Sequence, residues 1–104
     1  MPEPPGGSGL ALLDAVLVSQ ALGHAATPTP VLASAVMAPT ALALLGGSAC
    51  EDWLAGIATG DLVCGVAVME LFSVREGAGV TAKAGALHGK AMMAIDACGA
   101  DLLL

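Results

Sequence analysis

The chain has 104 residues, 57% hydrophobic and 12% charged, with a net charge of −6. It is long enough for one small domain at most, or parts of two, and too apolar for a disordered chain, yet Trp53 and Phe72 are its only aromatic residues. Every basic residue (Arg75, Lys83, Lys90) follows residue 74, whereas Glu3, Asp14, Glu51, Asp52, Asp61 and Glu70 precede it; no Lys/Arg cluster exists to bind nucleic acid or an anionic membrane surface.

Along the chain, residues 2–9 are punctuated by proline and glycine and read as a non-regular lead-in. Ser8 is placed to cap a helix over 10–22 that stops at Gly23. That helix is apolar nearly all round, interrupted only by Asp14, Ser19 and Gln20, which suits burial within a larger assembly. The stiff stretch Thr27-Pro28-Thr29-Pro30 leads into a second helix over 31–45 with a kink at Pro39. Ser48 and Glu51 have capping-box spacing for a third helix over 50–59, with Trp53, Leu54 and Ile57 at helical spacing and Gly60 as its stop. The period then changes. Residues 62–69 form a short β-rich apolar run, 80–83 and 87–95 are further strand candidates, and 102–104 open another. Turns are expected at 77–79 and 84–85. The fold class is therefore α+β: three N-terminal α-helices followed by the opening strands of a β-domain. The corresponding division is 1–61, helical, and 62–104, strands.

The interval from Asp14 to Glu51 carries no formal charge, but Gln20, His24, four Thr/Pro residues, Pro39 and Gly46-Gly47 break it. No apolar run long enough to span a bilayer results. The residues at the N-terminus lack a basic signal region, and Cys50, Cys64 and Cys98 form no paired motif. A cytoplasmic chain with reduced, mostly buried thiols is expected.

Local chemistry is sparse. Gly6-Gly7-Ser8-Gly9 follows no strand, so it reads as a lead-in and cap rather than a phosphate cradle. His24 suits a helix C-terminus, and His88 has no evident nucleophile beside it. Glu70 closes the apolar run like a site residue, and Met92-Met93 suits core filling. No metal-ligand spacing emerges.

Several ordered segments nevertheless resemble the acyl-CoA dehydrogenase family. They are Pro2-Glu3-Pro4-Pro5-Gly6-Gly7-Ser8-Gly9-Leu10, then Leu12-Leu13-Asp14 with Ala21-Leu22-Gly23, then Gly47-Ser48 through Trp53-Leu54 to Gly60-Asp61. Val66-Ala67-Val68-Met69-Glu70, Leu87-His88-Gly89-Lys90 and Ala100-Asp101-Leu102-Leu103-Leu104 complete the series. The resemblance implies the end of an N-terminal helical domain and the start of a middle β-domain, a fragment or diverged subunit that is not active alone. By the same resemblance, the ligands are FAD and an acyl-CoA thioester, whose Cα–Cβ bond is oxidised. A glutamate base removes the α-proton and the flavin takes the β-hydride. The chain would work in a homo- or hetero-oligomer with a dehydrogenase chain. The alternative is a non-catalytic helical subunit that pairs with such a chain. Cofactor contacts carried over by position are Met69, Glu70, Met93, Ala94 and Ile95. The family's flavin-bonding threonine stands as Met69 here, its aromatic as Met93 and a hydroxyl residue as Ile95. The resemblance assigns no catalytic base to this chain.

Overall fold

A computed structural model describes residues 7–68 and 79–104. Helices come first and short strands follow, the α+β order expected.

Helix α1 spans Leu12–His24. The Ser8 hydroxyl does not cap it. Instead the Ala11 N–H donates to Asp14 Oδ2 at 2.8 Å, and the Asp14 N–H donates to the Ala11 carbonyl at 3.1 Å. A carboxylate in the first turn answers the positive end of the helix dipole, so the helix begins two residues later than expected. Gly23 does not stop it either. The chain turns at Ala26, φ +49°, where the Thr27 N–H reaches the Leu22 carbonyl at 3.0 Å and the Ala26 N–H reaches Gly23 at 3.1 Å. This is a Schellman closure with alanine in the left-handed position that glycine normally takes. The strain of that conformation exceeds the backbone entropy glycine loses. Ala26→Gly is therefore expected to stabilise by about 0.5 kcal/mol, a rise of roughly 2–4 °C in a thermal melt.

The second helix is present, but its bend is a change of hydrogen bonding. A π-helical segment, Leu32–Met37, runs into α2, Ala38–Leu45. Pro39 has no N–H to donate, and its ring crowds the carbonyl four residues back. Widening the turn before it, with the Ala38 N–H on the Ala33 carbonyl, relieves that crowding. Helix α3 spans Ser48–Thr59. Gly47, φ +98°, takes the cap position and its carbonyl receives the Glu51 N–H at 3.1 Å. Ser48 thus falls inside the helix, and the expected capping box is not formed. Gly60, φ +83°, ends α3 as anticipated, with the Asp61 N–H on the Gly56 carbonyl at 2.9 Å.

The strand expected over 80–83 is present with one more residue, whereas the others are shorter than the sequence pattern suggested among the described residues. Strand β1 is Cys64–Gly65, and β4, Leu102–Leu103, lies parallel to it with Cys64 opposite Leu102. Strands β2, Gly79–Lys83, and β3, Ala86–Lys90, form an antiparallel hairpin. Its two-residue turn at Ala84 (φ +52°) and Gly85 (φ +77°) has the type I′ hand. Met93 and Asp96 have φ of +56° and +53°. Left-handed backbone at those positions cannot continue an extended strand, so the expected run over 87–95 ends at Lys90. Ile95 survives as a single bridge to Val66. The expected turn over 77–79 lies partly outside the described residues, and Gly79 itself begins β2.

The core is small. Ala33 and Ala38 pack on Cys64 and Val66, joined by Met37, Ile57, Val68, Ile95, Leu102 and Leu104. Leu42 and Leu54 are also buried, where α2 meets α3. By contrast, α1 buries none of its residues, and Leu12, Leu13, Val16, Leu17 and Val18 all lie more than half exposed. Of the three cysteines expected to be mostly buried, only Cys64 is. No helix among the described residues is long and apolar enough to cross a membrane.

Candidate functional site

The described polar contacts that join distant parts of the chain gather where the π-helical segment meets β1. In a parallel pair alternate residues aim their main-chain groups at opposite edges. Val63 and Gly65 face β4: their carbonyls receive the Leu102 and Leu104 N–H groups at 3.2 and 3.0 Å. Cys64 and Val66 face the other edge. Among the described residues no full strand lies there.

Two substitutes complete that edge. The Ser34 hydroxyl donates to the Cys64 carbonyl at 3.1 Å and accepts the Cys64 N–H at 2.9 Å. Ile95 exchanges both main-chain bonds with Val66, at 2.8 and 2.9 Å. Beside them, Asp96 Oδ2 accepts the Ala33 N–H at 3.1 Å. Asp101 Oδ2 accepts the Val63 N–H at 2.9 Å, and the Asp101 N–H donates back to the Val63 carbonyl at 2.8 Å. Ser34 and Asp96 thereby stitch the helical layer to the strand layer, and Asp101 ties the start of β4 to that of β1.

Of the expected cofactor contacts, Met69 and Glu70 lie outside the described residues. Of Met93, Ala94 and Ile95, it is Ile95 that is paired, in a single bridge to Val66 just past β1. Their surroundings differ: Met93 is 74% exposed, so it is not the core filler its type suggested, while Ala94 and Ile95 are half-buried. Ser34, Asp96 and Asp101 were not singled out from sequence as site residues. A signal existed for Ser34, the lone hydroxyl between Val31 and Pro39 in an otherwise apolar helix.

The seam is built for holding. Both hydrogen-bonding capacities of the Ser34 hydroxyl are spent on Cys64, and no imidazole joins it. His24 ends α1 and His88 sits opposite Thr81 in the hairpin. No group of His, Cys, Asp and Glu suited to a metal occurs among the described residues. Burial first, and the Asp101 carboxylate second, push the Cys64 thiol above the ordinary value of 9.0, so it is a poor nucleophile at neutral pH. Cys98 is exposed. In native protein, thiol reagents are expected to label Cys98 about a hundredfold faster than Cys64, which should react at the rate of local opening. The raised value also sets a sign. Above pH 9 the unfolded state loses the Cys64 proton while the folded state keeps it, so this group's contribution to stability is complete below pH 9 and falls as pH rises.

A flavin needs hydrogen-bond donors along its polar edge. Met93, Ala94 and Ile95 offer only apolar side chains, and the Ile95 N–H and carbonyl are both bound to Val66. These residues do not fit a tightly held flavin by themselves. Compared with protein-family models, with curated proteins and with solved structures, the chain gives no match.

Proposed function

We propose that the chain is a cytoplasmic, diverged part of an FAD-dependent acyl-CoA dehydrogenase, supplying scaffold rather than reactive groups and inactive by itself. The observation that carries this reading is the pairing of Ile95 with Val66. Ile95 closes the second of the two family-like cofactor segments, and Val66 precedes the first by three positions in the sequence. The ordered sequence motifs supply the rest of the support. In such an assembly FAD would supply the hydride acceptor, and this chain's part would be to hold Ile95 against Val66 and the helical layer against β1 through Ser34, Asp96 and Asp101. The cofactor's polar contacts and the base come from elsewhere in the assembly.

The test is purification with added FAD, alone and with a coexpressed dehydrogenase chain or the flanking reading frame. The isolated chain is expected to retain no flavin absorbance and to show no dye-coupled acyl-CoA oxidation, whereas the assembly shows both. Absence of bound flavin in every context would remove the cofactor from the proposal.

A second reading, a non-catalytic subunit that docks on a dehydrogenase chain, is favoured by one feature. Helix α1 exposes leucine and valine on all sides, and apolar surface of that extent marks an interaction face. Here the coexpressed pair would form in gel filtration with flavin held by the partner alone.

A further inference from the structure

An apolar groove of about 530 Å³ runs between α1 and the π-helical segment with α2. Ala15 and Val18 form one wall, Val36, Thr40 and Ala43 the other, and Leu54 of α3 also lines it. The part of α1 that lines the groove, Leu12 to Val18, gives it a wall about 10 Å long, roughly two helical turns and enough for residues at i to i+7 of a facing helix. Asp14 is the acidic side chain in its lining. Across residues 7–62 the chain adds Glu51, Asp52 and Asp61 and has no lysine or arginine to offset them.

That charge pattern selects the occupant. A fatty acid or a CoA thioester would bring carboxylate or phosphate to a wholly anionic layer with no cation to receive it. A second copy of this chain would set the same acids against each other. We infer that the groove receives an amphipathic helix of a partner protein. Its apolar residues at i, i+3, i+4 and i+7 enter the groove, and its flanks carry lysine or arginine toward Asp14 and a helical layer that has acids but no lysine or arginine of its own. This inference rests on the assembly half of the proposed function and is independent of the flavin half.

The test uses the full chain and two labelled model peptides with leucine in that spacing, one flanked by lysine and one by glutamate. Fluorescence anisotropy is expected to show saturable binding of the leucine–lysine peptide, at least about tenfold tighter than the leucine–glutamate one. Ala43→Glu separates the groove from general attraction. Added negative charge would strengthen a purely electrostatic contact, whereas a filled groove weakens binding about tenfold. Val18→Glu on the opposite wall should act the same way, and circular dichroism establishes that each variant remains folded. Equal binding of the two peptides, or undiminished binding to both variants, overturns the inference. So does a dimer in sedimentation that Ala43→Glu abolishes, or displacement of the peptide by a free fatty acid. Flavin retention plays no part in any of these outcomes, so the failure of either idea is visible without the other.

Discussion

Replacing Gly65 by alanine is expected to destabilise the protein by about 2–4 kcal/mol, read as a fall in the denaturant midpoint. A Cβ at this position would stand 2.8 Å from the Ala97 Cα, 3.2 Å from the Ala97 nitrogen and 3.1 Å from Leu103 Cδ1. The first two atoms are main chain and cannot swing aside. Nor is the segment that carries them free to shift, because Ile95 is bound to Val66 and Asp96 to Ala33. The added methyl must therefore part β1 from the 95–97 segment, which holds the core together. Gly56→Ala provides the contrast. Its Cβ would meet only the Leu62 side chain, which can rotate, so a loss smaller by about 1 kcal/mol or more is expected. Equal losses at the two glycines would mean that the packing of 95–97 on β1 is looser than described.

The second large effect is expected at Ser34. Ser34→Ala should cost about 2–4 kcal/mol, because the N–H and the carbonyl of the fully buried Cys64 lose their shared partner together. An unpaired buried group costs more than a hydrogen bond contributes. The measurable signature is local as well as global. Amide exchange at Cys64 should accelerate, and Cys64 should become reactive to thiol reagents while Cys98 is unchanged. Asp96→Asn keeps a carbonyl that can accept the Ala33 N–H, so a loss of only about 1 kcal/mol is expected there. An alanine at position 34 that leaves stability and Cys64 exchange unaltered would show that the hydroxyl is not completing the strand edge.

These two positions also show where the sequence was readable. The helical stretches were legible because apolar spacing and glycine stops act within a few residues; Gly60 ends α3 where its flexibility predicts. The second helix also starts where Pro30 suggested, but the starts of α1 and α3 were not legible: Ala11 with Asp14, and Gly47, took the cap roles expected of the serines. Apolar composition marked strands at 62–69 and 87–95, but left-handed backbone at Met93 and Asp96 cut the second short. At Asp96 that conformation accompanies a contact 63 positions away, with the Ala33 N–H. The seam itself was invisible for the same reason: Ser34 meets Cys64 across 30 positions and Asp101 meets Val63 across 38. The all-round apolar character of the first helix pointed to burial, yet within this chain α1 is open. Among the described residues nothing covers it, and that exposed face is what the proposed assembly would bury.

The most direct measurement of that account is flavin bound per chain, compared between the wild type and a variant carrying Met69→Thr and Met93→Trp. These substitutions supply the hydroxyl and the aromatic ring that the family resemblance expects at those positions. One hydrogen bond and one ring stack are worth about 1–3 kcal/mol together, which corresponds to roughly a tenfold gain or more in affinity. The account predicts negligible retention by the wild-type chain alone and a clear rise in FAD affinity in the variant, larger still in the assembled protein. An affinity unchanged by both substitutions in every context would contradict it.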